Sequence, residues 1–211
     1  METLIQIQNK HKFNTDKGKP THNYLEYYDE LFGDYRKQKI NLLEIGVLTG
    51  ESLKLWSEYF TETNLYGIDI FTREKKDGTK MDIDYVSKNL EGYDIQLDIV
   101  DSCSSSKDTK RRRNGYLSQF KDGFFDIIID DGQHNSESQA LTYNNFKSKV
   151  SKDGIYIIED IKSWFDGGKR AGYTHLQHLT RDIKNLEIIH EGKGDDILGI
   201  IRGTIIIHNT K

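Results

Sequence analysis

The 211-residue chain has one proline and one cysteine, no long apolar run and no excess of basic residues. Each scarcity removes a class of protein. A single cysteine, Cys103, excludes an internal disulfide and suits a reducing compartment. No apolar run approaches the roughly 20 residues that a membrane span needs. A formal net charge of −4 gives no general attraction to nucleic acid. The start, Met1-Glu2-Thr3-Leu4, lacks a basic segment followed by an apolar one, so no signal peptide is expected. A cytoplasmic protein of one domain, residues 1–211, follows as the expectation. No internal repeat and no linker breaks the chain.

What is present is a set of short apolar runs that end in acids. Phe125-Asp126-Ile127-Ile128-Ile129-Asp130-Asp131-Gly132-Gln133-His134 is the clearest. It is rich in β-branched residues and too short for a helix, so it predicts a strand. Its apolar residues are continuous, as in a parallel strand covered on both faces. Gly154 to Ile158 repeats the pattern and ends in Glu159-Asp160. In open parallel sheets, ligands bind beyond the carboxyl ends of the strands. Asp131, Glu159 and Asp160 would then meet at one place with His134 beside them. Converging carboxylates repel one another unless a cation is present, which points to a hard divalent metal with a histidine base.

The remaining elements fit around these two. Residues 1–20 are polar with weak periodicity, and Asn14 to Pro20 predicts a loop. Asn23 to Phe32 has its aromatic and aliphatic residues on one helix face, and Gly33 is a stop. Strands are expected at 41–47, 64–70, within 93–100, before Asp131, before Glu159, at 186–190 and at 204–208. Helices are expected at 52–60, 82–90, 136–150 and 174–185, with a glycine-rich loop at 164–172. The fold class is therefore α/β: a mostly parallel seven-stranded sheet with helices on both faces. Two final strands in close succession predict one antiparallel edge strand. The basic run Lys110-Arg111-Arg112-Arg113 reads as a solvated loop or helix face, with phosphate contact as the alternative.

Glu44-Ile45-Gly46-Val47-Leu48-Thr49-Gly50 is a glycine turn between a strand and a helix, where the backbone can approach a ligand closely. Its Gly-x-x-x-Gly spacing is not the dinucleotide fingerprint. Asp69 closes the second strand, and an acid there can take both ribose hydroxyls. Together these point to an adenosine-containing ligand.

Leu42 to Val47 with Gly50, followed by Gly67-Ile68-Asp69-Ile70, resembles the first two motifs of class I S-adenosylmethionine-dependent methyltransferases, a Rossmann-like fold. Ile129 to His134 and Ile158-Glu159-Asp160 resemble the Asp-Asp-Gly-Ser-His and Glu-Asp elements of the metal-dependent sugar O-methyltransferases. That group includes macrolide-sugar and rhamnosyl enzymes and cephalosporin hydroxylase-like relatives. Thr15-Asp16-Lys17 with His22 and Tyr24 is similar to their N-terminal segment. The similarity runs from residue 13 to residue 162, with Gln133 in place of the usual serine.

The resemblance implies that Glu44, Gly46, Gly50, Ser52 and Asp69 surround S-adenosylmethionine, with Asp98 near the adenine. Asp16, Lys17 and His22 would close over the cofactor from a covering segment, residues 1–40, on a core of 41–211. Asp131, Glu159 and Asp160 would hold Mg²⁺ (or Mn²⁺), and His134 would be the general base. The implied acceptor is a carbohydrate or glycoconjugate, of rhamnose type. Two other readings stand beside it: a vicinal-diol or catechol O-methyltransferase, and a non-catalytic cofactor-binding partner subunit. A homo-oligomer, or a place in a larger glycan-processing polypeptide, is compatible with either.

Overall fold

The structure, a computed structural model, describes residues 1–161, 183, 187–190 and 197–202. The loop expected at 164–172, the helix at 174–185 apart from Ile183, and the strand at 204–208 lie outside them.

Two helices come first, α1 (Leu4–His11) and α2 (Tyr24–Phe32). The first was not anticipated from its weak periodicity. Its signal is a capping box: Thr3 Oγ1 accepts from the Gln6 amide at 3.2 Å, and the Gln6 side chain accepts from the Thr3 amide at 2.8 Å. Helix α2 buries Tyr24, Leu25, Tyr28, Leu31 and Phe32, the face expected from their spacing.

Strand β1 (Lys39–Ile45), α3 (Glu51–Tyr59) and β2 (Glu62–Asp69) follow. A short hairpin, β3 (Arg73–Glu74) and β4 (Lys80–Met81), turns at Asp77-Gly78 and was not expected. Then come α4 (Ile83–Asn89), β5 (Ile95–Ile99), α5 (Lys107–Leu117), β6 (Phe125–Asp130), α6 (Ser136–Phe146), β7 (Val150–Ile158), β8 (Glu187–His190) and β9 (Ile197–Arg202).

Seven strands form one sheet in the order β5-β2-β1-β6-β7-β9-β8. β5, β2, β1, β6 and β7 run parallel, and β9 is antiparallel to both β7 and β8. The antiparallel strand therefore lies at the expected margin, between β7 and the outermost strand. It is formed by Ile197–Arg202, where only a tight connection at Arg202-Gly203 was expected.

Successive strand residues feed opposite cores. Leu42, Ile127, Ile129, Ile155 and Ile157 pack with α1, α2 and Trp56 on one face. Leu43, Ile128, Tyr156 and Ile158 pack with Tyr116, Leu117, Tyr143 and Phe146 on the other. That double burial is why the strands read as unbroken apolar runs. The register aligns Ile45 with Asp130, Asp130 with Ile158, and Ile45 with Ile68. Gly46, Asp69, Asp131 and Glu159 consequently leave the sheet at one level. The strand order reverses at β1 and β6, the switch point where such sheets bind ligands.

Candidate active site

The glycine turn after β1 is held by backbone contacts. The Gly46 amide donates to Ile68 O at 2.8 Å, and the Asp131 amide to Ile45 O at 2.8 Å. Gly46 has φ +91°, and a Cβ there would lie 2.1 Å from the Asp131 carbonyl oxygen. Only glycine allows the exits of β1 and β6 to come this close. Asp69 fastens the same turn. Its Oδ2 accepts from the amides of Val47 (2.9 Å) and Leu48 (3.2 Å), and its Oδ1 from Phe71 (2.9 Å). Gly50, at φ +84°, caps α3. Glu44 is fully buried below the turn and accepts from Ser52 Oγ (2.7 Å) and Trp56 Nε1 (3.1 Å). Burial pushes its carboxyl up, against the opposing pull of Lys17.

A cavity of about 770 Å³ opens above this turn. The site residues Asp16, Gly46, Ser52, Asp69, Asp131 and His134 line it together. So do residues not picked out from sequence, among them Arg73, Asp101, Gln133 and Glu137. Asp101 carries a readable signal: its Oδ1 accepts from the amides of Cys103 (3.1 Å) and Ser104 (2.8 Å), an Asx turn just past β5. Asp98 is exposed and does not line the cavity. It pairs with Ile68 inside the sheet, so it sits below the level at which the chain emerges; Val100 to Ser105 reach the cavity instead. The basic run lies on α5. Lys110, Arg111 and Arg112 are exposed. Arg113 is buried and donates to Asp101 O (3.2 Å) and Ser104 O (3.0 Å), propping that wall.

The acids after β6 and β7 meet as expected, but not all at one point. One ligand atom each from Asp131, His134 and Asp160 lie within 4.8 Å of one another. His134 Nε2 is 3.8 Å from Asp131 Oδ1 and 3.6 Å from Asp160 Oδ2. His134 Nδ1 is buried with no hydrogen-bond partner among the described residues. Two carboxylates and an imidazole with an unsatisfied nitrogen suit a cation or a bound hydroxyl. Asp160 has φ +52°, a left-handed conformation that an aspartate adopts at some cost and that turns its side chain out of the strand direction. Its Oδ1 accepts from Tyr24 Oη at 2.7 Å, and His22 Nδ1 lies 3.9 Å from that oxygen.

Glu159 turns the other way. It is buried and accepts from Tyr28 Oη and from Lys17 Nζ at 2.8 Å. Lys17 does not line the cavity. It is 1% exposed, with Nζ also 2.6 Å from Asp131 Oδ2 and 3.5 Å from Glu44 Oε1. Burial disfavours its charge, but the three carboxylates outweigh that and hold the ammonium well above the usual lysine range. Burial and Asp131 push the Glu159 carboxyl well up, and burial pushes Asp131 up despite Lys17.

Residues 43–161 match the model of a family described as a methyltransferase domain. The chain is 29% identical over 147 residues to the mycinamicin VI 2''-O-methyltransferase of Micromonospora griseorubida, covering 66% of this chain and 32% of that protein. It is 24% identical over 183 residues to the 8-demethyl-8-α-L-rhamnosyl tetracenomycin-C 2'-O-methyltransferase of Streptomyces olivaceus, covering 79% and 42% respectively. The chain thus spans less than half the length of these relatives. Its fold is similar to that of MycE methyltransferase from the mycinamycin pathway, solved with Mg and SAH, at a TM-score of 0.65 and 22% identity over 96% of this chain and 55% of that one.

Proposed function

The chain belongs to the methyltransferase-domain family, and on that premise we propose that it is an S-adenosylmethionine- and divalent-metal-dependent O-methyltransferase. Its acceptor is a sugar hydroxyl, of a rhamnose-type deoxyhexose in a glycan or glycosylated metabolite. The observation that carries this reading is the convergence of Asp131, His134 and Asp160 beside the cavity above the glycine turn, which Asp131 and His134 line. The names of the relatives, which specify O-methylation on mycinamicin and on a rhamnosyl tetracenomycin, support the acceptor class.

In this reading Gly46, Gly50, Ser52 and Asp69 shape the cofactor end, with Glu44 beneath and Asp16 at the rim. Asp131 and Asp160, with Glu159 behind them, would hold Mg²⁺. The donor set fits such an ion: carboxylate oxygens of Asp131 and Asp160, with a ligand atom of His134 within 4.8 Å of both. When bound, the sulfonium cofactor supplies an activated methyl group and the cation polarises a coordinated hydroxyl.

The chain's own residues do the rest. The turn and Ser52 fix the cofactor end, so orientation contributes to the rate. His134 is the base and takes the hydroxyl proton at Nε2, with Nδ1 carrying the ring proton. The Asp131 and Asp160 carboxylates, 3.8 and 3.6 Å away, stabilise the imidazolium that forms.

The test is transfer of labelled methyl from S-adenosylmethionine to rhamnosides, other deoxyhexosides and catechols, with Mg²⁺ and with EDTA. Transfer to a deoxyhexoside that stops on chelation is expected, and His134→Ala should lower it by about 10²–10⁴-fold. Transfer indifferent to EDTA would remove the metal from the mechanism. Transfer to catechols alone would change the acceptor. Cofactor binding without any transfer would favour the partner-subunit reading.

A further inference from the structure

Lys17 is a buried cation that the proposed reaction does not use. It comes from the loop before α2, where the Tyr24 amide donates to its carbonyl at 3.0 Å. Its partners are 114 and 142 residues away in sequence. Three buried or half-buried carboxylates, Glu44, Asp131 and Glu159, share this one ammonium. Asp131 is divided between two directions: Oδ2 faces Lys17 Nζ at 2.6 Å, and Oδ1 faces the His134–Asp160 cluster. A cation in that cluster would therefore share a carboxylate with Lys17. Two positive charges on opposite oxygens of one carboxylate repel, and the low-dielectric surroundings screen them poorly.

From this we propose that Lys17 is an internal counter-ion that competes with the divalent cation. It balances the buried acids while the metal is away and weakens the metal's hold when it arrives, so the site is intact without metal and exchanges it readily. The proposal rests on the metal reading given above.

The test is direct binding of Mn²⁺, followed by the loss of its free electron paramagnetic resonance signal, to wild type, Lys17→Met and Lys17→Arg at one pH. Lys17→Met should bind Mn²⁺ at least tenfold more tightly than wild type. Lys17→Arg keeps the charge and should stay within about threefold of wild type, which separates charge from shape. Equal or weaker binding by Lys17→Met overturns the proposal, because Lys17 would then merely hold the ligands in place. Wild type that binds no Mn²⁺, and whose methyl transfer ignores EDTA, points instead to failure of the metal reading itself. Lys17→Met is also expected to melt at lower temperature than wild type without metal, and to recover more than wild type when Mn²⁺ is added. A Lys17→Met protein that stays unfolded at every Mn²⁺ concentration overturns the proposal, since the cation would not have replaced the ammonium.

Discussion

Asp130 and Asp131 are adjacent in sequence and opposite in environment. Asp131 turns towards the cavity, whereas Asp130 is 1% exposed. Among the described residues, the Asp130 side chain accepts a 3.3 Å bond from the Gly132 amide and a 3.2 Å bond from Tyr156 Oη. Burial pushes its carboxyl up to about 7. In the unfolded chain it would titrate near 3.9. Between those two values the folded protein holds a proton that the unfolded chain has released. The stability from this group is therefore complete below about pH 4 and is lost as pH rises towards 7. Asp130→Asn cannot lose that proton, and its amide retains an acceptor for Gly132 and offers a donor to Tyr156. Urea denaturation should show the variant gaining on wild type by on the order of 3 kcal/mol between pH 4.5 and pH 8. A parallel pair of pH profiles would show that Asp130 is ionised throughout.

At the scale of elements, the β1–turn–α3 unit is where backbone shape and site are the same thing. Gly46 and Gly92 have nearly equal φ, +91° and +92°, so both are strained by any side chain. They differ in surroundings: a Cβ on Gly92 meets nothing within 4 Å, whereas one on Gly46 collides with the Asp131 carbonyl. Gly92→Ala should cost about 1–2 kcal/mol, the conformational penalty alone. Gly46→Ala should cost at least about 3 kcal/mol, because the exits of β1 and β6 must also separate. Chemical denaturation measures both, and S-adenosylhomocysteine affinity should fall only for Gly46→Ala. The elements legible in sequence were those whose pattern is local, such as the β6 and β7 runs with their acid endings and the one-sided stripe of α2. Helix α1 escapes the periodicity because it buries only Leu4 and Ile7, too few to set a period, and its sequence signal is the capping box of Thr3 and Gln6. Asp98 stands one level below the exit of β5, whose length depends on its pairing with β2, which no local pattern reveals.

Over the whole molecule, long-range charge separates what sequence reveals from what it hides. Asp131, His134 and Asp160 lie in two strand endings and could be picked out; Lys17 lies far from both, and its burial among carboxylates follows only from how α2 packs on the sheet. The cavity has the same character. The residues lining it include six acids, Asp16, Glu51, Asp69, Asp101, Asp131 and Glu137, and one fixed cation, Arg73. Some of that charge is answered locally, as Lys54 answers Glu51 at 2.8 Å and Lys17 answers Asp131. The remainder leaves the lining more acidic than basic, a local imbalance larger for its size than the overall charge of −4. In the proposed reaction the field of such a lining would favour the sulfonium over the neutral thioether left after methyl transfer, and so would help product leave. Salt screens exposed charge over a Debye length of about 10 Å at 0.1 M. Raising salt from about 0.05 to 0.5 M should therefore weaken S-adenosylmethionine binding at least threefold more than S-adenosylhomocysteine binding, measured by calorimetry without divalent metal. Equal salt slopes for the two ligands would mean that the internal lysines neutralise the cavity completely, leaving discrimination between substrate and product to contact alone.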